Sequence, residues 1–274
     1  MTPATFKRSI RDLQVWCSSC MVAFAGSDPI GVLIGAKRTT GTLIHKIAVH
    51  PDHLRQGHGR HLLASLGSKL AILGPPRIVA EVPEVLAPAC ELFNACGYVE
   101  ESLLTDYVLE GEEDGVRSAG SSAFAKAPAD RRSFSGGWLD PVARTNRFII
   151  PVSVDDLAAN GLLGEIHPHA WWERSAETLL ARREEIAGLA VASDERIEAF
   201  LLYTSDGEIV LLRSTVEDGG ARLKRLLSQL RAQGFECFRL RKTHPAEISQ
   251  EVLGALGFRA AGAHRLYSTR ARSD

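Results

Sequence analysis

Fourteen consecutive residues, His50 to Leu63 (HPDHLRQGHGRHLL), hold four histidines, two arginines and a Gly-x-Gly. Three kinds of chemistry use such residues: a metal site, a phosphate loop and a plain turn. A dinucleotide loop needs a third glycine three residues after the second, where Leu62 stands, and an acidic residue at ribose distance, which is missing. A Walker loop fails because no Gly-Lys-Ser/Thr follows. Zinc needs three or four converging ligands. His58 and His61 are three apart and could share a helix face, but the sequence does not mark a third and fourth ligand converging on them, so no metal is expected and His50, His53, His58 and His61 read as lining a polar loop. What remains is a strand-like run (Thr42 to Val49), a loop with Gly57 and Gly59, and a helix with Leu62, Leu66, Leu70 and Leu73 on one face. The first N–H groups of a helix have no intrahelical partner, and its dipole favours an anion by about 0.3–1 kcal/mol. Glycines let the backbone approach closely, and Arg55 and Arg60 add charge-assisted bonds. The loop therefore reads as a seat for an anionic group.

Two other groupings are weaker. Trp16-Cys17-Ser18-Ser19-Cys20 has redox-pair spacing, but a strand-like run (Met21 to Ala25) follows where a reactive thiolate needs a helix start, so packing is expected. Arg239, Arg241 and Lys242 read as a solvated strand face. With a net charge of -1 there is no global attraction for nucleic acid. Five scattered cysteines fit a reducing compartment, and neither an apolar spanning run nor a secretory start is visible, so the expectation is a cytoplasmic protein without membrane contact.

The elements that must position the loop recur. A chain of 274 residues, 45% hydrophobic, has room for two domains. Residues 110–140, rich in Gly, Ser, Ala and charge, read as a linker that Phe124, Phe134 and Trp138 could pin to a surface. Before it come Met21 to Gly26, Ile30 to Lys37, Leu43 to Val49, the leucine helix, Arg77 to Val82, a helix ending at Gly97-Tyr98, and Leu103 to Leu109. After it come Leu189 to Ala192, Ile197 to Thr204, Ile209 to Arg213, a helix with Leu223, Leu226, Leu227 and Leu230, Cys237 to Arg241, a helix ending at Gly257-Phe258, and His264 to Thr269. The order strand, strand, strand, helix, strand, helix, strand occurs twice, which predicts an α/β architecture of mixed sheets flanked by helices. The expected domains are 1–110 and 141–274, joined by 111–140. The second half has a longer start, with a strand candidate Arg147 to Val152 and a helix candidate Ala170 to Glu184. The first half's sheet edge is thus covered by the linker or the second half, or is open, or the numbered chain begins late.

The run IHKIAVHPDHLRQGHGRHLL resembles the signature of the GCN5-related N-acetyltransferases (GNATs): Ile47-Ala48-Val49, Pro51, Gly57 and Gly59 match. A second block, Glu81 to Glu84 and then APACELFNACGY (87–98), resembles the same family, and the likeness covers Met21 to Leu109. It implies two tandem GNAT-like domains, each a mixed, mostly antiparallel sheet with a splayed parallel pair. It also implies acetyl-CoA as co-substrate, without a metal. The pantetheine arm would lie along Ile47, Ala48 and Val49, and the pyrophosphate on Leu54, Arg55, Gln56, Gly57, His58, Gly59 and Arg60, with Phe93 near the sulfur. In catalysis, the N–H at Val49 would polarise the thioester, Glu81 would take the amine's proton, and His45 could relay it. The bland alternative for Glu81 is a strand-end carboxylate in water.

Three positions depart from the family: Leu54 for Arg or Gln, Leu86 for Asn, and Phe93 for the Tyr that protonates the thiolate. Phenylalanine has no proton to give, so water or Tyr98 would serve. In the second half the matching loop carries Glu217 and Asp218, which repel a pyrophosphate, so a single cofactor site is expected in the first half. Trp171 and Trp172 read as core or interface more readily than as cleft. Two functions stay open: an N-acetyltransferase acting on a primary amine of a small molecule or peptide amino terminus, and a CoA-binding protein with little turnover. Homodimerisation stays open as well.

Overall fold

The computed structural model describes residues 2–13, 15–111, 148–164 and 172–271. The linker residues 112–147, with Phe124, Phe134 and Trp138, and residues 165–171, with Trp171, lie outside these. The first half opens with helix α1 (Pro3–Asp12) and a 3-10 turn (Cys17–Ser19). Strands β1 (Met21–Ala25), β2 (Asp28–Lys37) and β3 (Thr42–Val49) follow, then α2 (His58–Leu73), β4 (Arg77–Pro83), α3 (Ala87–Ala95) and β5 (Val99–Glu110). The second half has β6 (Phe148–Val152), α4 (Val154–Ala159), a 3-10 turn (Trp172–Arg174), α5 (Ala176–Ala181), β7 (Ile186–Ala192), β8 (Ile197–Thr204), β9 (Ile209–Ser214), α6 (Ala221–Ala232), β10 (Cys237–Thr243), α7 (Gln250–Ala255) and β11 (Arg259–Arg270). No helix among the described residues is long and apolar enough to cross a membrane.

The sequence predicts that each half is closed by its own last strand, but the two strands are exchanged. One sheet runs β1-β2-β3-β4-β11-β5-β10, the other β6-β7-β8-β9. β11 pairs antiparallel with both β4 and β5, and β5 pairs with β10. The exchange gives both twelve-residue strands partners on both edges, leaving neither as an exposed edge. Each strand also enters the other half's core. Tyr267 of β11 joins Leu33, Leu66, Ile78 and Phe93 under α2 and α3. Tyr107 and Leu109 of β5 join Leu223, Leu226, Leu230 and Phe238 under α6 and α7.

The leucine helices form as their spacing requires: Leu62, Leu63, Leu66 and Leu70 of α2 are buried, as are Leu223, Leu226, Leu227 and Leu230 of α6. Leu73 instead faces solvent, because α2 ends there and Gly74 turns the chain away. The helix expected over Ala170 to Glu184 is shorter: within the described residues it is the 3-10 turn and then α5, started by the Ser175 side chain. β1 has β2 as its one strand neighbour among the described residues, whereas β6 covers the corresponding strand, β7, in the second half.

Candidate active site between the two halves

β3 and β4 run parallel and pair at Thr42–Ile78, Leu43–Val79 and Ile44–Ala80, then part. Beyond Ile44, β3 stays paired with β2 alone, and its residues pass from buried to partly exposed. Ile47, Ala48 and Val49 thus border an open slot, with a strand's worth of backbone groups facing it. At the start of α2, which follows β3 in the chain, Gly57 caps the helix in the left-handed conformation (φ 88°), Arg55 also has positive φ, and among the described residues no side chain caps the helix. Gly59 lies against Leu92 of α3, where a Cβ would meet the leucine at 3.0 Å. Arg55 is near Glu91 (3.6 Å), and Gln56 donates to the Asp52 carbonyl (3.1 Å). Leu54 is exposed. His50, His53 and His58 touch edge to face, with neighbouring centroids about 6 Å apart, and no group of His, Cys, Asp or Glu among the described residues is placed to hold a metal. An extended thioester arm in the slot, with its diphosphate on the bare α2 start, fits these residues.

The second half answers differently. β9 and β10 meet at one bridge, Glu208–Arg239, and a carboxylate stands at the start of α6, which likewise begins on a left-handed glycine, Gly220 (φ 86°). Asp218 accepts from the Gly220 and Arg222 N–H groups (3.1 and 3.0 Å) and from the Arg222 guanidinium (2.6 Å), which also binds Glu198. Burial opposes that charge, yet these bonds hold the Asp218 carboxyl below its usual range. The carboxylate fills the place an anionic ligand would take.

Glu81 lies one residue past the last β3–β4 pair, and its side chain is 7% exposed. It is therefore not a carboxylate in water. It accepts from Lys242 Nζ at 2.9 Å, so a second-half residue completes this part of the first half. The sequence reading of Lys242 as solvated is corrected here, and the cause is a register shift. Between Leu240–Tyr107 and Thr243–Thr105, β10 spends two residues, Arg241 and Lys242, opposite Asp106 alone. This bulge leaves Arg239 and Arg241 exposed and turns Lys242 inward with φ 45°. Asp106 Oδ1 accepts the Lys242 N–H (2.7 Å), and its other oxygen meets His264 Nε2 (3.1 Å). Burial disfavours the Lys242 charge, but Glu81, Glu173 and Asp106 outweigh it and hold the ammonium above its ordinary pKa. Burial pushes Glu173 up.

His45 sits in a second bulge, where β3 passes from Lys46–Ile34 to Ile44–Gly35. Burial first, and then the charges of Lys46 and Lys242, lower it to about 4, so it is neutral at pH 7; its Nε2 is buried without a hydrogen-bond partner. Phe93 is in the core, 2% exposed, stacked on Tyr267 (5.7 Å) and edge-on to Tyr98 (5.0 Å). Tyr98 is buried too. It lines a cavity of about 250 Å3 with Arg60, Ser68 and Arg270, and its hydroxyl has no partner. Trp172 lies at the junction of the halves: its Nε1 donates to the Leu13 carbonyl (3.2 Å), and Arg38 lies 4.0 Å over its ring. Cys17 and Cys20 are free thiols ahead of β1.

Comparison with known proteins agrees with this geometry. Residues 16–100 match the family model described as acetyltransferase (GNAT) domain. No curated protein matches the chain in sequence. Among solved structures, a conserved protein of Enterococcus faecalis V583 described as a probable N-acyltransferase is 12% identical, with TM-score 0.62, and the match covers 100% of this chain and 67% of that one. A GCN5-related N-acetyltransferase from Sphaerobacter thermophilus is 11% identical (TM-score 0.59, 92% and 81% covered). A tandem GNAT protein from the clavulanic acid biosynthesis pathway is 16% identical (TM-score 0.56, 93% and 83% covered). The chain has the GNAT fold in tandem. Its first half carries the match to the acetyltransferase domain, and strands of the second half, β10 and β11, complete that half's sheet.

Proposed function

We propose that the protein is an acetyl-CoA-dependent N-acetyltransferase with one cofactor site, in the first half, and an acceptor cleft shared by both halves. The observation that carries this reading is the contrast between two similar helix starts: α2 and α6 both begin on a left-handed glycine that offers no side-chain cap, but Asp218 takes the Arg222 N–H of α6, whereas among the described residues no side chain takes the first N–H groups of α2. When bound, acetyl-CoA supplies the thioester carbon that an amine attacks. Gly57, His58, Gly59 and Arg60 offer backbone N–H groups to the diphosphate, and Arg55 and Arg60 offer charge. Ile47 to Val49 hold the arm in the manner of an added strand, and a strand N–H at Val49 polarises the carbonyl. Glu81 takes the proton of the incoming ammonium, and His45, neutral at pH 7, relays it outward.

A second reading, CoA binding with little turnover, is favoured by the burial of Phe93 and Tyr98, which leaves the departing thiolate dependent on water. Titration calorimetry with acetyl-CoA and a free-thiol assay over a panel of amines separate the two. Binding with thiol release supports the transferase, and binding without release supports the second reading. An unaltered affinity in Gly57→Glu, which puts a carboxylate into the diphosphate's seat, would refute the placement of the site.

A further inference from the structure

The Lys242 ammonium is a primary amine 2.9 Å from the carboxylate assigned above to deprotonate the acceptor. Its position is enforced from several directions. The β10 bulge turns the side chain inward, a non-glycine residue is held at φ 45°, and its N–H is tied to Asp106, itself bound to His264. Strain of this kind persists where surrounding contacts over-determine it, and it gathers at functional sites. Around the ammonium stand the carboxylates of Glu81, Glu173 and Asp106, with the His45 imidazole close enough to feel its charge. A clamp between two halves would be served at least as well by arginine, whose fork binds a carboxylate with two parallel bonds. A lysine at this point adds something arginine cannot, a nucleophile of the acceptor's own class.

We propose that Lys242 occupies the acceptor-amine position and is a self-acetylation site. This rests on the reading of Glu81 as the base. One proton passes from Nζ to Glu81 and on to solvent. The freed lone pair forms the N–C bond to the thioester carbon, the C–S bond breaks, and the sulfur leaves with its electron pair and takes up the second Nζ proton as CoA thiol. The product amide is neutral. Glu81 then no longer faces an ammonium of the chain itself, and an outside amine gains access to it, so the first turnover unlocks the site for those that follow.

The test is incubation of the full chain with acetyl-CoA carrying a deuterated acetyl group, followed by peptide mass mapping over time. Label is expected on Lys242 at a rate independent of protein concentration, faster than on the exposed Lys7 and Lys224. In Glu81→Gln the rate should fall about a hundredfold or more, the scale of a lost general base. Absence of label from Lys242, labelling no faster than at Lys7 and Lys224, or an unchanged rate in Glu81→Gln overturns the inference. The concentration dependence needs no variant, so it decides the matter even if Glu81→Gln fails to fold. The amine panel is read separately. Thiol release with outside amines and no label on Lys242 defeats this inference alone, whereas acetyl-CoA binding with neither defeats the transferase reading as well.

Discussion

Lowering the pH should destabilise the protein through His45. The imidazole titrates at about 4 in the folded chain against an ordinary 6.5. Above pH 6.5 it is neutral in both the folded and unfolded states and contributes no pH dependence. As the pH falls from 6.5 towards 4, the unfolded chain takes up a proton that the folded one refuses, so stability is lost through that window. At 1.36 kcal/mol per pH unit the full loss is about 3 kcal/mol, and about 2 kcal/mol once the solvent reaching part of the ring is allowed for. Burial also raises Glu173, and other carboxylates respond to pH as well, so the quantity to measure is a difference. Urea unfolding at pH 7 and pH 4 should show the wild type losing about 2–3 kcal/mol more than His45→Gln, which keeps the size and cannot protonate. Direct observation of the His45 ring protons by NMR gives the second check. A midpoint between 6 and 7, or equal losses in the two proteins, would refute the argument that burial and two neighbouring ammonium groups keep this ring neutral.

Three further outcomes follow from the geometry. Gly57→Ala places a Cβ in open space at φ 88°, so its cost is backbone strain of about 1–2 kcal/mol, visible as a lowered Tm; an unchanged Tm would mean that the loop relaxes freely. Lys242→Met leaves the Glu81 charge buried and should cost about 3–5 kcal/mol, while Lys242→Met with Glu81→Gln should cost much less than the two singles together. Strict additivity in denaturant unfolding would show that the pair is not coupled. Asp218→Ala removes the acceptor for the Gly220 N–H ahead of α6 and the Arg222 N–H in its first turn and should lower stability by about 1–2 kcal/mol, against no change if water replaces the carboxylate.

Much of the arrangement was legible because it is written in local patterns. The leucines of α2 and α6 repeat at helical spacing, and Gly57 marks the one backbone shape that lets a strand turn into a bare helix start. Asp218 could be read as hostile to an anion, though not as the cap that replaces one. α4 went unread, although its start, Ser153 followed three residues later by Asp156, is a capping signal in the sequence. Lys242 could not be read at all. Its inward direction comes from one extra residue in the register of β10 against β5, and period-two reasoning fails where a strand bulges. The exchange of β5 and β11 was hidden for a related reason: a strand's composition records that both its faces are covered, not which half supplies the neighbour.

That exchange bears on how the chain is made. β4 and β5 are neighbours in sequence, joined through α3, but β11 lies between them. During synthesis the first half reaches β5 with no correct partner for the facing edges of β4 and β5, and the gap must stay open until β11 emerges long afterwards. Pairing β4 directly with β5 is the trap to be avoided, and such long-range closure is slow. The slot on the other edge of β4 therefore acquires its final shape only when both halves have left the ribosome, which ties the final setting of Glu81 to the arrival of its partner, Lys242.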